Sequence, residues 1–216
     1  GQISASTDFD PGPDSAMIYR TTVGDEDIFI AKYDPYGAYQ WAISFGGNGN
    51  DKSYDIAVDD SGYIYITGIF WQICDFDPGP GVFNLSSNGF NDVFFAKYDS
   101  TGALVWAKRI GGIAQDYGRG IAVGNDGFIY LVGDFGEAVD FDANTGTAFM
   151  SSSGMSDVFI TKYSTSGNYV WAKKIGTFHS EHAQDIALDA SGNIYISGYF
   201  TGTTKFDPAG ASVDIT

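Results

Sequence analysis

Asp92-Val-Phe-Phe-Ala-Lys-Tyr-Asp-Ser-Thr-Gly-Ala-Leu-Val-Trp-Ala-Lys108 decides the fold. Its first eight residues mix aromatic, β-branched and small apolar side chains, as a strand buried on both faces does. Ser100-Thr101-Gly102 supplies a turn with glycine where positive φ is needed. Ala103 to Lys108 then returns as a second strand, so the stretch reads as a hairpin.

Downstream, a polar glycine-rich loop leads to Gly120-Ile-Ala-Val123, the turn Asn125-Asp126-Gly127 and Phe128-Ile-Tyr-Leu-Val-Gly133, a second hairpin. Both hairpins recur. Trp41, Trp106 and Trp171 stand 65 residues apart, as do Asp27, Asp92 and Asp157, Gly37, Gly102 and Gly167, and Tyr65, Tyr130 and Tyr195. Gly68, Gly133 and Gly198, then Phe70, Phe135 and Phe200, keep the same interval. Residues 1–26 therefore read as the tail of one repeat, followed by repeats over 27–91, 92–156 and 157–216.

The expected fold is all-β, with tandem four-stranded antiparallel blades stacked face to face in a β-propeller-like array. Ile56-Ala57-Val58 and its counterparts form the innermost strand, and each Trp covers the gap to a neighbouring blade. Phe76-Asp77-Pro78-Gly79 and its equivalents form the tip of an extra hairpin prolonging the second and third strands, bent by bulges near Ser86–Gly89 and Ser151–Gly154. Phe9-Asp10-Pro11 and Ile18 duplicate the phase of Phe206-Asp207-Pro208 and Ile215. The ends thus read as duplicates, not complementary halves, which suits an array continuing into further repeats or into neighbouring copies.

The pattern Asp27-x-Phe29-x-Ala31-Lys32-Tyr33-Asp34, Gly37, Trp41-Ala42, Gly46-Gly47, Ile56-Ala57-Val58-Asp59, Gly62-x-Ile64-Tyr65-x-x-Gly68 resembles the SBBP (seven-bladed β-propeller) repeat of large secreted bacterial proteins. The likeness covers nearly the whole chain in three copies. Thr161, Ser164 and Gly124 depart from it, and the Phe-Asp-Pro hairpin lengthens each unit. The resemblance implies an extracellular or cell-surface location and no particular activity.

The formal charge of −16 opposes nucleic acid and anionic lipid, and suits divalent cations, basic partners or neutral glycans. No apolar run is long enough for a membrane-spanning helix, and Cys74, the lone cysteine, admits no intrachain disulfide.

Several side chains invite chemistry. Asp75 and Asp77, like Asp140 and Asp142, sit at alternate strand positions, and Asp140-x-Asp142-x-Asn144-x-Gly146 is the spacing nearest a calcium loop. Against it, Asp before Pro-Gly is ordinary turn chemistry, and Lys205 replaces the first Asp in the last copy. Lys32, Lys97 and Lys162 recur in every repeat, so a structural ion pair with Asp27, Asp92 and Asp157, or with Asp55 and Asp185, outweighs catalysis. His179 and His182 are placed in a polar loop without a third ligand. Trp71 breaks the repeat and is a candidate contact for a glycan or protein; Cys74 reads as a small buried hydrophobe.

These residues favour a non-enzymatic, secreted or cell-surface repeat scaffold for adhesion, display or filament-like assembly, with other copies or neighbouring repeats as partners. The alternative is a glycan- or ligand-binding module of a larger secreted protein. An enzyme built on the unique loop at 177–183 ranks third.

Overall fold

The computed structural model describes residues 1–19, 26–207 and 214–215, the last two by backbone alone. Pro208 and the Ile215 side chain, part of the repeat reading at the closing end, lie outside the described residues. Every regular element described is a strand.

The chain opens with β1 (Gln2–Ile3), a ribbon of β2 (Thr7–Asp8) and β3 (Met17–Ile18), and the hairpin β4 (Asp27–Tyr33) and β5 (Tyr39–Gly47). A first complete set of six strands follows: β6 (Lys52–Val58), β7 (Ile64–Phe70), the ribbon β8 (Ile73–Asp75) and β9 (Asn84–Ser86), then β10 (Asp92–Tyr98) and β11 (Leu104–Ile110). A second set repeats it as β12 (Tyr117–Val123), β13 (Phe128–Phe135), β14 (Ala138–Asp140), β15 (Phe149–Ser151), β16 (Asp157–Ser164) and β17 (Tyr169–Ile175). The last strands are β18 (Glu181–Leu188), β19 (Ile194–Phe200), β20 (Thr204–Lys205) and β21 (Asp214–Ile215).

Two sheets are complete blades, in the antiparallel orders β6-β7-β10-β11 and β12-β13-β16-β17. Each takes its inner pair from one 65-residue period and its outer pair from the next, so blade and period are out of phase. At the flanks, β1, β4 and β5 give the outer part of a blade, and β18 with β19 gives an inner part. The flanking strands are therefore of complementary kinds. The duplication expected at the two ends holds for the Phe-Asp hairpin and the tip of the second strand alone.

Burial follows position. β7 and β10 are buried along their whole length because neighbouring blades cover both faces, whereas outer strands such as β11 are only partly covered. One apolar cluster lies between each successive pair of sheets. Ile28, Ile30 and Phe45 meet Ile64, Ile66 and Tyr98 in the first; Phe95 and Ile110 meet Leu131, Phe159 and Tyr163 in the second. Trp41 and Trp106 pack at these seams as expected, and Gly102 (φ 87°) turns directly over the Trp41 ring.

The extra hairpin differs from expectation. It does not prolong the second and third strands but forms a separate ribbon, and β8 pairs with the end of β5 in the preceding sheet. The break lies at Gln72 (φ 64°) and Glu137 (φ 56°), opposite the serines where bulges were expected, and at the equivalent Gly202 (φ 71°). Ser87 and Ser152 brace it: their hydroxyls accept the Gln72 and Glu137 N–H groups. Phe76 and Phe141 then drop into the core, each against Phe94 or Phe159 with ring centres 5.0 and 5.2 Å apart. A tyrosine hydroxyl latches each of the first three ribbons. Tyr33 donates to the Phe9 carbonyl, Tyr98 to that of Phe76 and Tyr163 to that of Phe141.

Candidate functional site

The aspartates of the calcium reading serve their own turns. Asp75 Oδ1 accepts the N–H groups of Asp77 and Phe83, and Asp77 Oδ1 accepts that of Gly79. Asp140 does the same for Asp142 and Ala148, and Asp142 Oδ1 accepts both the backbone and amide N–H of Asn144. The Asn144 oxygen is turned to the Lys108 ammonium at 2.6 Å. Among the described residues, no three Asp, Glu, His or Cys side chains group as metal ligands.

Trp71 is 40% exposed at the bend before β8 and borders a shallow cleft with Asn48, Asn50 and Phe90. Cys74 is buried, and burial pushes its thiol up. His179 lies against Phe178, with ring centres 4.0 Å apart. His182 is not in a loop: it stands on β18, and its Nδ1 is 3.2 Å from Asp134 Oδ2.

Two of the recurring lysines, Lys97 and Lys162, find other partners than those expected. Lys97 lies 3.8 Å above the Tyr63 ring and donates to the Thr165 carbonyl; Lys162 pairs with Asp126 at 2.8 Å and covers Phe128. Asp92 and Asp157 are met instead by Arg109 and Lys174, both at 3.1 Å. Asp55 bridges two blades by accepting the Ile121 N–H at 2.7 Å.

A second recurring acid escapes notice in the sequence because its identity changes. Asp51, Asp116 and Glu181 keep the 65-residue interval and are buried. Asp51 accepts the N–H groups of Gly47 and Trp71, Asp116 those of Gly112 and Gly136, and Glu181 that of Thr177. Each ties the loop after an outer strand to the next inner strand. Burial pushes Asp51 and Asp92 up to about 6 and Asp116 up to about 7.

The most varied chemistry gathers on the inner strands. Pairing slips by one residue between Ser53 and Asp55, between Gly118 and Gly120, and between Ala183 and Asp185. Tyr54, Arg119 and Gln184 are thus the extra residues of three equivalent β-bulges, a device that re-aims side chains. Gly68, Gly133 and Gly198 recur opposite them: a Cβ at Gly68 would stand 1.9 Å from the Lys52 carbonyl oxygen.

The three bulge residues, with Ala183 and Tyr199, line one cleft of about 350 Å³. Arg119 Nε lies 3.3 Å from Asp134 Oδ1, and its guanidinium sits 4.4 Å from the Tyr117 ring centre and 5.1 Å from that of Tyr54. Asp134 has 1% of its side chain exposed, where the neighbouring copies carry Ile69 and Tyr199. His182 stacks on Tyr199 with ring centres 4.8 Å apart. The arrangement offers aromatic faces and planar donors, while its buried carboxylate is occupied by Arg119 and His182.

Residues 40–68, which span β5, β6 and β7, match the family SBBP, a beta-propeller repeat. That stretch of the chain is similar to an SBBP repeat. Internal periodicity repeats the same residue spacing at 105–133 and 170–198. The chain is 28% identical over 172 residues to the regulatory protein FlaEY of Caulobacter vibrioides, covering 78% of itself and 18% of that protein. It is 25% identical over 190 residues to the uncharacterized WD repeat-containing protein L264 of Acanthamoeba polyphaga mimivirus, covering 77% of itself and 14% of that protein. These relatives carry the names of regulatory and repeat proteins, which fits a repeat scaffold.

Proposed function

We propose that this chain is a non-enzymatic repeat scaffold, secreted or held at the cell surface, that acts by display and by docking of like units. One observation carries the reading. Beside β19 lies a cavity of about 290 Å³ lined by Val158, Ile175, Ile196, Tyr199, Phe200 and Phe206. Phe200 and Phe206 meet edge-to-face at 5.6 Å, as Phe135 and Phe141 do at 5.2 Å. In the complete blades a third aromatic, Phe94 or Phe159, joins that pair from the third strand. Among the described residues, no strand pairs with the outer edge of β19.

An open strand edge beside an apolar cavity favours the addition of another strand. The fitting occupant is a third strand of the same repeat, reading Asp-x-Phe with Tyr four residues beyond the Phe. Sedimentation velocity over a wide concentration range tests docking. Species that grow with concentration and are lost in Phe206→Ser are expected; a monomer at every concentration contradicts it. Protease treatment of intact cells tests location: release of peptides from this chain is expected, and complete protection contradicts surface display.

A further inference from the structure

We infer that the cleft between the bulged inner strands, lined by Tyr54, Arg119, Gln184 and Tyr199, is a binding site for a short neutral saccharide. The case begins with what varies. The fold demands the bulge, since all three inner strands have it opposite a glycine, but it does not demand a residue type there. Tyr, Arg and Gln occupy the three positions, and all three border the same cleft. A position held in geometry and varied in chemistry is suited to a ligand of low symmetry.

A pyranose ring presents a C–H face that packs on an aromatic ring, and hydroxyls that seek planar hydrogen-bonding groups. Tyr54 and Tyr199, 39% and 53% exposed, supply the faces. Gln184 supplies both a donor and an acceptor. Arg119 is pre-oriented by Asp134 and two tyrosine rings through Nε and its π face, and its terminal nitrogens bond to no described residue. Fixing the guanidinium in advance lowers the entropy cost of its use. His182, braced on Asp134, holds Tyr199 from behind. With a chain charge of −16 and Arg119 neutralised by Asp134, uronate and sulfated glycans are disfavoured. The site is separate from the Trp71 cleft and from the cavity beside β19's edge, apart from the shared Ala183 and Tyr199.

The test is an array of immobilised neutral hexose, N-acetylhexosamine and hexuronate oligosaccharides, with retained glycans then titrated in solution. Retention of a neutral glycan is expected. Tyr54→Ala and Gln184→Ala, both exposed changes that should keep the thermal midpoint, each weaken it about tenfold, while Trp71→Ala leaves it unchanged. Retention of no glycan, retention of acidic glycans alone, binding that survives Tyr54→Ala with Gln184→Ala, or binding lost with Trp71→Ala overturns the proposal.

Discussion

At the scale of the residue, the recurring side chains are mostly spent on holding turns and ribbons. Asp59 and Asp189 accept the N–H groups two and four residues on, and each also receives a tyrosine hydroxyl. Gly124 breaks that pattern in the sequence, yet Asp126 takes over by accepting the Phe128 N–H and the Tyr130 hydroxyl. The tyrosine latch is the most exacting of these contacts, because Tyr98 and the Phe76 carbonyl are buried together. Tyr98→Phe should cost about 1–3 kcal/mol, since the carbonyl then loses its partner away from water; urea denaturation reads it, and no change would mean that water reaches the carbonyl. The structural role of Lys97 and Lys162 was legible from recurrence alone. Their partners were not, because which side chains meet across a seam depends on sheet stacking, and the cations that reach Asp92 and Asp157 do not recur at Ser44.

Elements carry the main departure from the sequence reading. Runs of β-branched and aromatic residues apolar on both faces, with turn residues between them, located the long strands, but the Phe-Asp hairpin left the sheet where extension was expected. Positive φ at Gln72 and Glu137 produces that exit, and Gly202 is the one copy whose residue type betrays it. A β-branched residue tolerates this conformation poorly, so Glu137→Val should lower stability by about 1–3 kcal/mol in a chemical melt, and an unaltered midpoint would place the bend elsewhere. Within the ribbon, Asp140 accepts two N–H groups, so Asp140→Ala should cost about 1 kcal/mol. The turn role also predicts that a chelator leaves the thermal midpoint unchanged; a drop would assign these carboxylates to a cation.

The whole molecule is a row of sheets joined by apolar seams, each holding buried acids. The 65-residue period was plain in the sequence, and placing the Phe76 hairpin between the second and third strands of a blade already set blades across the 91/92 boundary, whereas the path of that hairpin was hidden. Nor could the inner-strand cleft be read beforehand, since bulges leave no mark of their own in residue type. The seams make stability depend on pH. Asp51, Asp92 and Asp116 are raised above the ordinary 3.8 by burial, so the folded form binds protons more readily than the unfolded one. Their stabilising contribution is complete below about pH 4 and is lost as pH rises through about 6 to 7. The thermal midpoint should therefore fall from about pH 5 to about pH 8, and a rise over that interval would contradict burial of these acids. Docking at the open edge is the claim on which the scaffold reading rests, and hydrogen exchange at β19 tests it most directly. Amides of Ile194–Phe200 that point away from β18 should exchange rapidly in dilute protein and become protected as concentration rises; exchange rates that do not change with concentration would contradict docking.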